Sequence, residues 1–390
     1  MSRITPAPRV AMIGGGQLSR MTAAPAAALG VGLRILATDP EDSAAQVCGD
    51  VVIGSHDDLD ALRRVTDGVS VVTFDHEHVP PDHLRALEAS GVIVRPGSAA
   101  LVHAQDKITM RAAIDAAGLP APKWCRVDTA DDIDHAGETL GWPLILKVSR
   151  GGYDGRGVWV VDSADAARDL VAQTPLAAGA AWLAEERVNF RRELAAQVAR
   201  SPHGQAVAYP VVRTVQVDGM CSEVVAPCPD LDDERALQAQ AIALEVARAL
   251  DVTGMLAVEM FDTDDGMLIN ELAMRPHNCG HWTIDGAVTS QFENHLRAVL
   301  DLPLGDPRAV APWSVMVNIV GPVDSEDLPP LHEAFAHILA RDPGIKVHLY
   351  GKAIRPHRKL GHVTVVGDDL EDLLDRAHHA ADYLMGVIND

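Results

Sequence analysis

Short apolar runs alternating with stretches of helical spacing through the first hundred residues constrain this chain more than any other feature. Residues 9–13, 33–37, 51–53, 69–74 and 92–94 read as strands, and 17–29 and the segments opening at Asp57 and Pro81 read as helices. Alternating β and α elements imply an open parallel sheet with helices on both faces. The pattern breaks at 101–106, before a helix expected at 107–117 and closed by Gly118. A first domain is therefore expected over 1–105.

After Pro120 the rhythm changes. Apolar strands at 144–149 and 158–161 flank a glycine-dense turn, and short strands dominate 182–226. A helix at 233–250 precedes strands at 255–261 and 267–271, joined by Thr263-Asp264-Asp265-Gly266. A further helix is expected at 288–300. Beyond Pro307 an α+β tail carries strands at 314–319, 347–350 and 363–366 and a last helix from Leu370. The central unit is expected over 106–305 and the C-terminal one over 306–390. Together these imply an α/β and α+β protein.

Charge narrows the function. Against 33 Lys and Arg stand 55 Asp and Glu, a formal charge of −22, which argues against a global nucleic-acid or anionic-membrane binder. It leaves room for an anionic small molecule held by a few local cations. Apolar stretches are too short to span a bilayer, and five cysteines without CxxC spacing favour neither a disulfide framework nor zinc. A reducing cytoplasm is the expected location. Only six of the basic residues are Lys, so Lys107, Lys147, Lys352 and Lys359 stand out as positions where a compact ammonium is wanted.

Several segments carry chemistry. Gly14-Gly15-Gly16-Gln17-Leu18-Ser19 turns a first strand into a first helix, where backbone amides can meet an anion. Ser19 replaces the third glycine of a dinucleotide fingerprint, so a phosphate site, a nicotinamide or flavin cofactor and a tight packing turn all stay open there. Arg150-Gly151-Gly152-Tyr153-Asp154-Gly155-Arg156-Gly157 forms a hairpin tip whose amides can fold over phosphates, with Lys147 on the preceding strand. Glu259 lies nearly opposite Asn270-Glu271 across the Thr263–Gly266 turn. Two acids held together in apolar surroundings call for a cation, and magnesium with nucleotide phosphates meets that need. Directly after come Arg275, His277, Asn278 and His281, leaving a strand end. Phe74-Asp75-His76-Glu77-His78 ends another strand, with Glu77 expected to accept a hydrogen bond from substrate. Lys352, Arg355, His357, Arg358 and Lys359 form a local basic cluster suited to an anion.

Taken together, these segments resemble the ATP-grasp ligases, and among them the 5-(carboxyamino)imidazole ribonucleotide synthases of purine biosynthesis. The match runs in order from Gly14-Gly15-Gly16-Gln17-Leu18 through Glu77-His78-Val79-Pro80, the 151–157 lid with Trp159, 270–282 and Ser290-Gln291-Phe292-Glu293 to 352–362. The resemblance implies a Rossmann-like preATP-grasp domain, a two-lobed ATP-grasp centre whose lid lobe spans about 123–187, and a small C-terminal domain. It implies that MgATP phosphorylates bicarbonate to carboxyphosphate, which carboxylates the amine of 5-aminoimidazole ribonucleotide. By that analogy Lys107, Lys147, Gly152, Gly155 and Gly157 bind ATP phosphates. Glu185, Glu186, Arg187 and Val188 line the adenine, Glu193 holds the ribose, and Gln216 and Asn270 complete the nucleotide site. Glu259 and Glu271 hold Mg2+. Tyr153, Asp154 and Arg156 face the acceptor and bicarbonate, with Arg275, His277 and Asn278 around the transferred group. Gly16, Gln17 and Leu18, with Glu77, Lys352, Arg355 and Arg358, hold the ribonucleotide. Relatives imply a homodimer.

The chain departs from the family pattern at Met274 (usually Pro), Cys279 (usually Ser), and Arg213 and Gln216 (usually Glu and His). A formate-activating glycinamide ribonucleotide transformylase, a nicotinamide-dependent dehydrogenase and a non-catalytic nucleotide sensor are the alternatives.

Overall fold

The computed structural model describes residues 7–152, 155–323, 328 and 330–388. Its N-terminal part is a parallel sheet of β1 (Arg9–Ile13), β2 (Gly32–Ala37), β3 (Asp50–Ile53) and β4 (Val71–Phe74), in the order β3-β2-β1-β4. Three helices, α1 (Gln17–Ala28), α2 (Leu59–Thr66) and α3 (Pro81–Ala89), connect and follow the strands. The expected strand at 92–94 shrinks to a single bridge between Val72 and Val94. Pro96, which has no N–H to donate, stands just beyond it. The expected break at 101–106 is instead mostly helix: α4 (Ser98–Gln105) runs directly into α5 (Lys107–Ala116). Glu88 caps α4 from a distance, accepting hydrogen bonds from the Ser98 amide (2.7 Å) and hydroxyl (2.6 Å). A cap donated by another helix leaves no local trace.

A second sheet follows, of β5 (Trp124–Val127), β6 (Leu144–Val148), β7 (Val158–Val161) and β8 (Trp182–Glu186), in the antiparallel order β5-β8-β6-β7. Helices α6 (Ala130–Leu140) and α7 (Ala164–Gln173) cover it. Val127, Ile133, Leu144, Leu146 and Trp182 pack into a core of its own. By contrast, residues of β1, α2 and β4 share one continuous core with the large sheet behind them.

That large sheet contains β9 (Arg192–Arg200), β10 (Ala206–Ala208), β11 (Val212–Val217), β12 (Met220–Ala226), β13 (Gly254–Thr263), β14 (Gly266–Ala273), β15 (Trp313–Val320), β16 (Lys346–Leu349) and β17 (Lys359–Gly367). Its order is β14-β13-β9-β11-β12-β15-β17-β16, with β10 beside β9. Helix α8 (Asp233–Ala249) packs behind it, while the short α9 (Thr283–Gly286) and α10 (Gln291–Val299) follow β14. Ser290 caps α10 by accepting the Glu293 amide. The Val288 amide goes instead to the Arg308 carbonyl, so this helix starts later than its apolar spacing suggests. Helices α11 (Phe335–Arg341) and α12 (Leu370–Leu384) complete the chain. The sheet crosses the expected boundary at 305/306 without a break, because β12 pairs with β15.

Helix α12 is tied to this sheet by charge as well as packing. His378 Nε2 lies 2.7 Å from Glu223 Oε2 on β12, and Arg213 Nη2 on β11 donates to the other oxygen at 2.9 Å. The hydrogen bond and charge of Glu223 raise the His378 pKa above its ordinary 6.5. A raised imidazole pKa contributes stability that is fully present below 6.5 and is lost as pH climbs through the raised value. Thermal denaturation across pH 6–9 should therefore show the wild-type protein losing stability relative to His378→Gln as the pH rises. Parallel pH profiles for the two proteins would contradict the pairing.

Candidate active site

The three sheets converge on a cleft of about 1040 Å³. It is lined by Gln17 and Leu18 at the start of α1, Glu77 after β4, Lys107 on α5, Lys147 on β6 and residues 185–188 at the end of β8. Glu193, Gln216, Glu259, Asn270 and Glu271 line it from the large sheet, and Arg275, His277 and Asn278 from the loop after β14. Gly152 and Gly155 enter from the β6–β7 hairpin. Gly155 has a φ of +75°, and a Cβ there would meet the Gly219 Cα at 2.8 Å. Only glycine suits both the conformation and the approach of this tip to the β11–β12 turn.

A slip in strand register organises the acids. Glu259 pairs with Glu271, but Met260 pairs with Ile269, leaving Asn270 as an extra residue on β14. Strict alternation would turn Asn270 and Glu271 to opposite faces; the bulge lets both line the cleft. Lys107 Nζ donates to Glu271 Oε1 at 2.5 Å. Lys147 Nζ lies 3.2 Å from Asn270 Oδ1 and 2.6 Å from Glu185 Oε2. Glu185 Oε1 accepts from Arg111 Nε at 2.6 Å.

Charge follows from these contacts. Burial opposes ionisation of Glu185, yet Lys147 and Arg111 outweigh it and hold the carboxyl at about 2. Burial likewise opposes Glu271, and Lys107 brings its pKa below the ordinary value. Glu259 lacks so close a cation: burial, then repulsion from Glu271 and Glu193, push it up to about 7. Two facing carboxylates whose mutual repulsion a cation would relieve are oxygen donors that suit a hard divalent ion such as Mg2+. Among the described residues no group of three or more His, Cys, Asp or Glu is placed to hold a metal by itself. A cation at Glu259 and Glu271 would thus take further oxygens from a ligand.

The other end of the cleft is built on Arg275, whose Nε donates to Glu77 Oε2 at 2.8 Å. The second Glu77 oxygen is buried and has no hydrogen-bond partner among the described residues. Burial, then Arg275 and Lys359, lower the His277 pKa to about 3, so its ring is neutral. The loop carrying it is clamped by buried Gln291. Gln291 Oε1 accepts the His277 amide at 2.9 Å, and Nε2 donates to the His277 carbonyl at 2.8 Å. Asn278 and Asn318 exchange amide hydrogen bonds of 3.0 and 2.8 Å.

Gly16 and Leu18 present their amides differently from the expectation. Asp75 accepts from the Gly16, Leu18 and Ser19 amides, at 2.5, 3.0 and 3.2 Å. The anion at the start of α1 is the chain's own carboxylate, and this segment offers the cleft the Gln17 side chain. Lys352 Nζ donates to Gln17 Oε1 at 2.5 Å. Lys352 and Arg358 line an adjoining cavity of about 810 Å³ with Gly16 and Asp75, and His76 lines both cavities. Arg355 is exposed and lines neither cavity; Arg156 and Gly157 also line neither. Tyr153 and Asp154 lie outside the described residues. Arg213 lines neither cavity because it is paired with Glu223; Gln216 does line the cleft and hydrogen-bonds Glu193.

Sequence reading missed Arg111, the Gln291 clamp, Asp75 as a cap, Asn318 and the stacked pair Phe190–Phe261 on the cleft wall, with ring centroids 4.7 Å apart. Arg111 had a usable signal, since it lies four residues after Lys107 on one helical face. The others depend on tertiary placement. Gln291→Ala should destabilise the protein by about 1–3 kcal/mol, because it strands buried polar groups of the His277 loop. A denaturation midpoint equal to wild type would contradict the clamp.

Comparison with known proteins bears on this geometry. The Ribonucleotide synthetase preATP-grasp domain matches residues 8–105, the ATP-grasp domain 112–292 and the Phosphoribosylaminoimidazole carboxylase C-terminal domain 314–376. The N5-carboxyaminoimidazole ribonucleotide synthase of Mycobacterium tuberculosis is 55% identical over 97% of this chain and 88% of its own length. The crystal structure of the synthetase from Thermus thermophilus is similar with a TM-score of 0.86, 36% identity and coverage of 98% and 99% of the two chains. The Aspergillus clavatus enzyme in complex with ADP and 5-aminoimidazole ribonucleotide gives 0.86, 32%, and again 98% and 99%. The chain belongs to the N5-carboxyaminoimidazole ribonucleotide synthase family and has the ATP-grasp fold.

Proposed function

We propose that this family member carboxylates the exocyclic amine of 5-aminoimidazole ribonucleotide, using ATP and bicarbonate, in purine biosynthesis. The observation that carries the reading is the cleft itself. It sets Lys107, Lys147 and the Glu259–Glu271 pair at one place, and Arg275 and Glu77, with an unpartnered oxygen, at another.

A bicarbonate oxygen attacks the γ-phosphorus of ATP, the P–O bond to ADP breaks, and carboxyphosphate forms. The amine nitrogen then attacks the carboxyl carbon, phosphate departs with the bridging oxygen, and the amine loses a proton. Lys107 and Lys147 neutralise the ATP phosphates, which is most of what phosphoryl transfer asks of a protein. Residues 185–188 and the Phe190–Phe261 wall take the base, and Glu193 with Gln216 the ribose. Mg2+ fits Glu259 and Glu271 and would supply charge neutralisation at the phosphates. Arg275 holds the carboxyl group being transferred, while the neutral His277 and Asn278 can donate hydrogen bonds beside it. The free oxygen of Glu77 accepts an N–H of the acceptor, and Gln17, Lys352 and Arg358 hold its phosphate. By family analogy the glycine-rich lid, whose Gly152 and Gly155 line the cleft, keeps water from carboxyphosphate. By the same analogy Asp154 faces the acceptor, where a carboxylate can orient the amine and accept its proton. The division into 1–105, 106–305 and 306–390, a homodimeric state and a cytoplasmic location belong to the same proposal.

The test is ADP release with MgATP in carbon-dioxide-depleted buffer, omitting bicarbonate and the ribonucleotide in turn. Release stimulated by 5-aminoimidazole ribonucleotide only when bicarbonate is present is the expected result. Turnover with formate and glycinamide ribonucleotide instead would overturn it.

Two variants probe the two ends. Glu271→Gln should lower kcat by about 100-fold or more while the protein stays folded, since it removes a cation ligand and the Lys107 partner; a near-normal rate would refute that role. Lys352→Ala should raise KM for the ribonucleotide by about tenfold to a hundredfold with little change for ATP, as a charge-assisted phosphate contact is lost. Equal effects on both substrates would sink the assignment.

A further inference from the structure

Arg111 is absent from the cleft lining, yet it touches what the cleft depends on. Its side chain is fully buried, and each nitrogen of its guanidinium has a partner. Nε donates to Glu185 Oε1 at 2.6 Å, Nη1 to the Ile269 carbonyl at 2.9 Å and Nη2 to the Asn270 carbonyl at 2.8 Å. Ile269 and Asn270 are the residues at which the β13–β14 register slips. Lys147 completes a closed circuit, since its ammonium meets both Glu185 Oε2 and Asn270 Oδ1.

This circuit bridges two bodies. Glu185 and Lys147 stand on β8 and β6 of the four-stranded lid sheet, whereas Asn270 stands on β14 of the large sheet. Since the lid sheet packs a core of its own, the shared apolar core of the other parts does not set its position. Arg111 also lies one helical turn after Lys107, so α5 presents Lys107 to Glu271 and Arg111 to the bulge from one face.

We propose that Arg111 is a positioning residue for nucleotide binding: it pins the β14 bulge to the lid sheet and so sets Asn270, Glu271 and Lys147 around the ATP phosphates. The inference rests on the ATP-dependent reading above. Its physical basis is the planar fork of guanidinium, which reaches a carboxylate and two carbonyls at fixed angles. An ammonium retains the charge but cannot reproduce that geometry. Freed of the fork, the bulge carbonyls are buried without their donors, and the side chains of residues 270 and 271 lose their common orientation. Misplacement on the scale of 1 Å is enough to cost about a hundredfold in catalysis.

The experiment compares wild type with Arg111→Lys, which keeps charge and approximate volume, by calorimetric titration with MgADP and by steady-state KM for each substrate. The expected result is MgADP affinity weakened by about tenfold or more, KM for ATP raised in step, and KM for 5-aminoimidazole ribonucleotide within about twofold of wild type. Unchanged MgADP affinity would overturn the proposal. So would equal losses for both substrates, because general loosening of the fold would not select the nucleotide. If Arg111→Lys fails to fold, Arg111→Gln, which still offers an amide donor, is judged by the same two criteria. Should wild type bind MgADP yet fail to turn over the ribonucleotide, the functional reading fails while the titration still decides the role of Arg111.

Discussion

The acids and lysines at one end of the cleft are arranged around the one-residue slip between β13 and β14. Counting back along the hairpin, Thr263 faces Gly266 and Met260 faces Ile269, so an unbroken ladder would put Glu259 opposite Asn270. The extra residue puts Glu271 there and leaves Asn270 free to meet Lys147. Two carboxylates facing each other in a walled cleft repel, and the structure relieves this unequally. Lys107 lowers the Glu271 pKa, while burial and then the charges of Glu271 and Glu193 raise that of Glu259 to about 7.

Surrounding elements can be read as supports for that arrangement. Helix α5 is capped by Asp106, which accepts the Ile108 and Thr109 amides and also pairs with Arg150 of the hairpin. The helix that supplies Lys107 and Arg111 is therefore linked to the base of the lid as well as to the bulge. At the opposite end, Asp75 fills the start of α1 and Gln291 clamps the His277 loop. Buried polar networks of this kind hold a geometry when all members are satisfied. The Glu77 oxygen that has no partner among the described residues is an exception in the cleft wall.

Much of this was legible in the chain. Strand β1 falls on its apolar run, and the hairpin at 263–266 forecast that Glu259 and Glu271 would meet, because period-two strands and a short turn are local properties. The slip that brings them directly opposite was not legible, since the carbonyls beside it are met by Arg111 from another element. Helix α4 was hidden because its cap comes from Glu88. The phosphate role expected of the Gly16 and Leu18 amides overlooked Asp75, which arrives from the end of β4, 59 residues from Gly16. The departures at Arg213 and Gln216 also find separate explanations: one is turned to Glu223 and His378, the other stays in the cleft beside Glu193. Only the second lines the cleft.

Activation of bicarbonate by phosphorylation leaves a mark that oxygen tracing reads. With fully 18O-labelled bicarbonate, MgATP and 5-aminoimidazole ribonucleotide, bridging-oxygen transfer predicts one 18O atom in each phosphate released, measured before the label exchanges with water. Phosphate carrying only solvent or ATP oxygen, with product still formed, would contradict the account.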